Sequence, residues 1–328
     1  MQRLEIKAAA KSYEVLIENG LLDQLETQLD PAVFYVVIAD DQIPQLYVDK
    51  VCQAVPGHIV IRFPAGESHK NLSEFSRIVE IMIRQNVRRD ACVIAIGGGI
   101  TGDLAGFIAS VYLRGIPYVS IPTTLLAQID SCVGGKVGID SPAGKNVIGS
   151  FYPPQKVLID PKTLDTLSER QKMNGMAEMI KYGMIADKDL FERIKNEDVF
   201  ADIAFFIHRS LSIKKRFVEA DERDLGIRQS LNFGHTIGHA LEAYFGYEGL
   251  LHGEAVAIGM ASIVSNPAIR EELVACLKKY HLPTENPVEM EKLKDFLNRD
   301  KKNRKELLKI VDVTEIGTSV LVKSQFGL

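Results

Sequence analysis

Of the four cysteines, Cys52, Cys92, Cys132 and Cys276, no two form a CxxC pair. That excludes a cysteine zinc site and gives no disulfide framework, so reduced thiols in a cytoplasmic protein are expected. No run of about 18 apolar residues occurs, and the opening MQRLEIKAAAKSYEVLIENG holds no apolar signal core. Neither a membrane span nor a secretory leader is expected. Basic charge is not in excess: 39 Lys+Arg stand against 43 Asp+Glu, a formal net charge of −4. Such a balance gives no footprint for nucleic acid or anionic membrane, and leaves room only for a local basic patch that suits a small anionic ligand. Internal repeats and low-complexity segments are lacking too. Histidine is scarce, seven residues in 328, yet three of them (His235, His239 and His252) fall within NFGHTIGHALEAYFGYEGLLHGEA, residues 232–255.

The chain length fits two domains or one large α/β domain. Its first half is rich in short β-branched runs ended by Gly, Pro or Asp. RLEIKAA and YEVLIENG alternate and form an opening strand pair; FYVVIADD, HIVIRFPAG, ACVIAIGGG, YVSIPTT and KVLIDP follow. Helical patterns such as NLSEFSRIVEIMIRQNV lie between the middle ones. Apolar strands alternating with helices imply a parallel sheet covered on both faces, with ligands at the carboxyl ends of its strands. From about Leu164 the spacing turns to three and four residues, as in GMAEMIKYGMIADKDLFERIK and DIAFFIHRSLSIKKRFVEAD, and a mostly helical second domain is expected. A cleft between the two domains is the expected place for a site.

ACVIAIGGGITGDLAGFIASVYL reads as a buried strand, three glycines and an apolar helix. Gly97, Gly99 and Gly102 satisfy G-x-G-x-x-G in the strand-to-helix context that lets backbone approach a diphosphate at a helix N-terminus. A tight turn without a ligand reads equally well from this motif alone. SIPTT, not an acidic residue, ends the next strand, and the candidate ribose acids come earlier, at Asp40 and Glu67. A dinucleotide is therefore expected in a strand order other than the usual Rossmann one.

His235 and His239 are spaced i, i+4 and share a helix face; His252 opens another helical start. Two imidazoles with a carboxylate form a common catalytic zinc set, and Glu178, in an otherwise apolar helix, is the best candidate for the carboxylate. The helix lacks the glutamate of H-E-x-x-H, so a zinc protease is not expected. Not all three histidines need be ligands, since one can handle a proton or a substrate oxygen. AQIDSCVGGKVGIDSPAGKNVIGSF sets Lys136, Lys145 and Asn146 among glycines, which suits carboxylate or phosphate. Lys181 lies one turn from Glu178, Lys214 in IKKRFVEADERD, and Arg228 and Asn232 lead into the histidine stretch.

Taken together, GGGITGDLAGF, RGIPYVSIPTTLLAQIDSCVGGKVGID, GKNVIGSFYPP, GMAEMIKYG, ADERDLGIRQSLNFGHTIGHALE, LLHGEAVAIGM and DKKN resemble, in order, the motifs of the 3-dehydroquinate synthase family of sugar-phosphate cyclases. The likeness runs from about Asp40 to Asn303. It implies an N-terminal α/β domain with a parallel sheet that binds NAD, residues 1–162, and a C-terminal, mostly helical metal- and substrate-binding domain, residues 163–328. It also implies a homodimer. The metal ligands carried over are Glu178, His235 and His252, for zinc or cobalt, with His239 a non-ligand. NAD contacts carry over to Asp40, Gly66, Glu67, Lys70, the loop Gly98, Gly99, Ile100, Thr101, Gly102 and Asp103, then Thr123, Thr124, Lys136 and Lys145. The segment Thr163, Leu164, Asp165 and Thr166 is expected near the cofactor.

The resemblance gives catalytic roles to Lys136, Lys181, Lys214, Arg228, Asn232 and His239. Substrate contacts fall on Asp130, Asn146, Lys145, Lys301 and Lys302, and on Arg114, which in the family reaches the neighbouring subunit's site. The implied reaction converts 3-deoxy-D-arabino-heptulosonate 7-phosphate to 3-dehydroquinate and phosphate. Transient oxidation at C5 by NAD, phosphate elimination, reduction and an intramolecular aldol closure follow one another, and NAD is not consumed. Asp140 stands where the family commonly has asparagine, Asp224 where it has glutamate, and the stretch from Met260 to Pro283 is shorter than usual. The rival readings are another cyclase, of the 2-deoxy-scyllo-inosose or valiolone type, and a metal-dependent polyol dehydrogenase, which would accumulate NADH. A non-catalytic nucleotide-binding protein is the third; it would need no metal.

Overall fold

The computed structural model of the chain describes residues 1–9, 11–303 and 309–323. It divides into two compact units, Met1–Ser168 and Glu169–Leu328.

The first unit is a seven-stranded sheet. Its strands are β1 (Gln2–Ile6), β2 (Tyr13–Ile17), β3 (Tyr35–Asp40), β4 (His58–Phe63), β5 (Cys92–Gly97), β6 (Tyr118–Pro122) and, after a hairpin of β7 (Lys136–Ser141) and β8 (Gly144–Phe151), β9 (Lys156–Ile159). Across the sheet the order is β1-β2-β9-β6-β5-β3-β4. Only the β1–β2 pair is antiparallel in it; all other neighbours are parallel. The central strands are buried along their whole length, as expected of strands covered on both faces. One face packs Ile38, Phe63, Val93 and Ala95 against residues of α2 (Leu72–Arg84) and α3 (Gly99–Val111), such as Ile78, Met82, Leu104 and Ile108. The other packs Val37, Ile94 and Ile121 against Tyr47, Val48 and Val51 of α1 (Gln45–Ala54).

The strand order reverses between β3 and β5: the chain leaves β3 outward to β4 and returns to the other side for β5. This is the switch point at which open α/β sheets leave a crevice at the carboxyl ends of their strands. The lysine-bearing glycine segment forms a π-type turn at Ala127–Ser131 and the β7–β8 hairpin. Gly138 and Gly149 face one another across it, so close that a Cβ on either would meet the partner backbone. Glycine here allows two strands to touch, although it lowers strand propensity.

The second unit is built from α4 (Glu169–Ala186), α5 (Lys188–Asn196), α6 (Ile203–Ala220), α7 (His235–Tyr244), α8 (His252–Ile263), α9 (Pro267–Lys279) and α10 (Met290–Asn303). An antiparallel hairpin that the helical texture did not foreshadow, β10 (Lys309–Glu315) with β11 (Thr318–Lys323), completes it. α4 is buried without a break from Met173 to Ile185, which makes it the central helix and places its polar residues inside the unit. α7 and α8 approach closely because glycines stand where they cross. A Cβ on Gly238 would lie 3.2 Å from the Ala255 carbonyl oxygen, and one on Gly259 would run into the Gly234 backbone.

Candidate functional site

In the first unit the site begins at the carboxyl end of β5. Gly98 is the extended cap of α3 and, as a glycine, brings no side chain to cap the amides of that first turn. Four N–H groups without intrahelical partners and the positive end of the helix dipole suit an anionic group such as a diphosphate. The Thr101 hydroxyl donates to Asp40 Oδ2 at 2.9 Å, tying the glycine loop to the end of β3. A Cβ on Gly97 would overlap the Thr101 side chain, and one on Gly98 would lie 3.1 Å from Thr124 Cγ2; around Gly102 there is open space. Gly97 is thus required by the loop itself and Gly98 is tightly fitted, whereas Gly102 leaves a gap that a ligand can fill. A cavity here is lined by Gly97, Gly98, Gly102, Asp103, Ser131 and Lys136.

Beside it, the buried Lys70 ammonium sits 2.7 Å from Glu67 Oε1, 3.2 Å from Asp103 Oδ2 and 3.8 Å from Asp140 Oδ1, and donates to Asn146 Oδ1 at 2.8 Å. Lys145 also approaches Glu67 Oε1, at 3.6 Å. Burial alone would lower the Lys70 pKa, but the three carboxylates outweigh it and raise it. Burial pushes Asp103 up to about 6 against the pull of Lys70, with Glu67 and Asp140 adding repulsion. Asp140 moves up for the same reason, while the two lysines overcome burial and hold Glu67 down.

Thr123 donates its N–H to the Gly97 carbonyl at 2.9 Å, and Thr163 is joined to the end of β6 by Gln128, whose amide donates to Thr163 Oγ1 and to the Pro122 carbonyl. Thr166 bonds the Tyr47 hydroxyl at 3.0 Å; Leu164 is buried beside it and Asp165 is exposed. Gly66 holds a φ of 109° before the turn that carries Glu67, and Ile100 packs on the core under α3. Asp130 lies in the π-type turn. Arg114 is exposed past the far end of α3 at a φ of 70°. The 13 residues of that helix put it about 20 Å from the glycine loop at 1.5 Å per residue.

In the second unit, α4 places Glu178 and Lys181 one turn apart, 0% and 2% exposed, as an ion pair. His235 Nε2 and His252 Nε2 each lie 3.6 Å from Glu178 Oε1, and the three ligand atoms fall within 4.8 Å of one another. Ligands at about 2.0–2.1 Å from a tetrahedral cation are about 3.3 Å apart, so the set could close on one divalent ion with little movement. His235 Nδ1 lies 3.1 Å from the Phe233 carbonyl, which holds the tautomer with Nε2 open toward Glu178. Burial, then the Lys181 charge, push His235 down to about 3. Burial acts likewise on His252, but Glu178 and Glu242 on its two sides outweigh it and raise it to about 10.

His239 is exposed on the same face of α7, its ring 5.3 Å from His235 and 5.9 Å from His252. Lys214 is buried on α6, and Arg228 is buried in a 3₁₀ turn, Ile227–Asn232, that also carries Asn232. With three residues per turn, Arg228 and Asn232 do not stack as an α-helical i, i+4 pair would. Lys301 and Lys302 lie in the last turn of α10, and their side chains are outside the described residues.

Three positions went unremarked in the sequence. Asn174, one turn before Glu178, accepts the Gly253 N–H at 2.6 Å and so pins the start of α8 beside His252. Asp221 accepts N–H groups from Leu225, Gly226 and Arg228, which shapes the turn that carries Arg228. Glu242 is buried on α7 against His252. Gly234 and Gly238, one residue before His235 and His239, mark a face where another helix comes close, but they do not single out these three residues.

Two family models match, 3-dehydroquinate synthase N-terminal over residues 60–174 and 3-dehydroquinate synthase C-terminal over residues 175–303. The 3-dehydroquinate synthase of Streptococcus mutans serotype c is 40% identical over 340 residues, spanning 97% of this chain and 96% of its own length. Among solved structures, a 2-deoxy-scyllo-inosose synthase complexed with carbaglucose-6-phosphate, NAD+ and Co2+ superposes with a TM-score of 0.88 at 25% identity, covering 98% of this chain and 96% of that one. The 2-epi-5-epi-valiolone synthase of Streptomyces hygroscopicus subsp. jinggangensis 5008, with NAD+ and Zn2+ bound, also gives 0.88, at 28% identity and coverages of 97% and 94%. No described helix is long and apolar enough to cross a membrane. On these matches over nearly its whole length, the chain belongs to the 3-dehydroquinate synthase family.

Proposed function

We propose that this chain is a cytoplasmic, homodimeric enzyme that converts 3-deoxy-D-arabino-heptulosonate 7-phosphate to 3-dehydroquinate and inorganic phosphate. The observation that carries the reading is the convergence of His235 and His252 on the buried Glu178 carboxylate, in a chain 40% identical to such a synthase over nearly its full length. The donor set, two imidazole nitrogens and one carboxylate, fits zinc or cobalt; when bound, the ion would act as a Lewis acid on substrate hydroxyls. NAD fits the switch-point crevice and the space beside Gly102, and would supply a hydride acceptor that the reaction regenerates.

The chain's own groups do the rest. Asp40, Glu67 and Lys70 serve the adenosine end of the cofactor, and the first amides of α3 receive its diphosphate, with Asp103, Thr123, Thr124 and the Thr163–Thr166 turn beside it. Lys136, Lys145, Asn146 and Asp130 bind and orient substrate. Lys181, Lys214, Arg228 and Asn232 hold its carboxylate and phosphate in one conformer, so that the proton next to the new ketone and the leaving phosphate are aligned. His239 moves a proton at the substrate without ligating the ion. Lys301 or Lys302, and Arg114 from a second copy, complete the anion contacts.

The test is to mix metal-loaded protein, NAD and the heptulosonate phosphate, and to follow phosphate and the NADH absorbance together. Phosphate without net NADH, abolished by a chelator, is expected; accumulating NADH would overturn the reading in favour of a dehydrogenase. Alanine at Glu178, His235 or His252 should abolish both metal stoichiometry and turnover. Alanine at His239 should abolish turnover alone.

A further inference from the structure

His252 stands between two carboxylates. Its Nε2 lies 3.6 Å from Glu178 Oε1, and its Nδ1 lies 3.3 Å from Glu242 Oε2. Glu242 is 4% exposed. It falls seven residues after His235 on α7, two turns along the same face. A charge at that depth is costly unless it meets donors, and the His252 Nδ1–H is a donor within reach. The two candidate ligand rings are thereby held the same way by different acceptors, a backbone carbonyl for His235 and a carboxylate for His252.

We infer that Glu242 is a positioning residue that sets the divalent-cation affinity of the Glu178–His235–His252 centre through His252. By accepting the Nδ1–H it fixes the tautomer whose Nε2 lone pair points at Glu178, holds the ring plane, and makes that nitrogen a stronger donor. Outer carboxylates of this kind commonly contribute about 10–100-fold in metal affinity. The inference rests on the metal reading above. A competing arrangement is also present: His239, Glu242 and His252 offer ligand atoms within 4.8 Å of one another, and there Glu242 would itself be a ligand. The first set has the better claim, because it offers a fully buried carboxylate and uses Nε2 of both rings.

The test uses the full-length protein and zinc alone, by competition with a chelating indicator, with cobalt absorption spectra as a second readout. Glu242→Met keeps the volume and removes the acceptor. It should weaken zinc about 10–100-fold and shift the cobalt bands while NAD affinity is unchanged. Glu242→Gln keeps a neutral acceptor and should recover most of the affinity, which a packing role alone would not explain. Parent-like zinc affinity in Glu242→Met would overturn the inference. So would complete loss of zinc in both Glu242→Met and His239→Ala, which would make Glu242 a ligand. Full zinc affinity in Glu178→Ala would instead bring down the metal reading, and this inference with it.

Discussion

Lys70 in the first unit and Lys181 in the second are both buried ammonium groups, 3% and 2% exposed. Lys70 is ringed by Glu67, Asp103 and Asp140, carboxylates whose side chains keep 18–24% of their surface in solvent. Lys181 pairs with Glu178, whose side chain keeps none. In the first cluster one charge can be lost or neutralised, because others remain and water is near. In the second, Glu178 is the described counter-charge of Lys181, and it also faces His235 and His252. The first site is otherwise made of backbone at a turn, the second of side chains brought together by α4, α7 and α8.

The sharpest way to break this contrast is a matched pair of carboxylate-to-amide changes. In Glu178→Gln, Lys181 loses the counter-charge that its described ion pair supplies, and leaving a buried partner uncompensated costs about 3–5 kcal/mol. Metal binding should go with it, and turnover should fall about 10³-fold if the ion contributes several kcal/mol at tenfold per 1.36 kcal/mol. In Glu67→Gln, Lys70 retains two carboxylates and stability should change by no more than about 1 kcal/mol. Denaturant midpoints of the two metal-free proteins decide it; equal losses would mean that the two lysines are held alike.

A smaller effect sharpens the other half of the comparison, the backbone-made site. A Cβ on Gly97 would overlap Thr101, so Gly97→Ala should cost about 1–3 kcal/mol, as overpacking does, and weaken NAD binding with it. A Cβ on Gly102 meets nothing within 4 Å. Gly102→Ala, inside α3, should therefore stabilise by about 0.5–1 kcal/mol while still weakening NAD at least tenfold, since it fills space the ligand needs. Zinc affinity should not change in either variant. If Gly102→Ala binds NAD normally, the diphosphate does not use that gap.

How much of this was legible beforehand follows from the same contrast. The strands of the sheet and the glycine loop could be read directly, because apolar runs between helices and G-x-G-x-x-G after a strand act locally. The β7–β8 hairpin could not, since Gly138 and Gly149 look like loop residues until they are seen to face each other. The β10–β11 hairpin carried too weak a period to stand out in a helical half. In the second unit the histidines drew notice by their clustering. What joins them to Glu178, on a helix much earlier in the chain, is tertiary packing; the apolar helix singled out Glu178, but only the family resemblance separated His235 and His252 from His239. Asn174 and Glu242 act through partners on other helices, so no local pattern reveals them.

The smallest expected effect concerns how the first cluster relieves its crowding. Asp103 titrates at about 6 in the folded chain against an ordinary 3.8. Between those values the folded chain holds a proton that the unfolded chain has released. The stability contributed by Asp103 is thus fully present below its ordinary pKa and is lost as pH rises through about 6. An asparagine at this position would not titrate, so the stability of Asp103→Asn relative to the parent should increase from pH 5 to pH 7.5, whatever the fixed offset from the lost Lys70 contact. Glu254 serves as a control in the second unit: burial raises its pKa, but Arg170 and the Leu251 amide outweigh this and hold it low. Glu254→Gln should therefore lose stability relative to the parent as pH rises through the acid range toward the ordinary glutamate value of 4.5, and stay level from about 5 to 7.5. Melting temperatures of the three proteins across that range test it. A pH-independent difference for Asp103→Asn would mean that the Lys70 cluster keeps all its carboxylates ionised, and that the first unit tolerates crowded charge without taking up a proton.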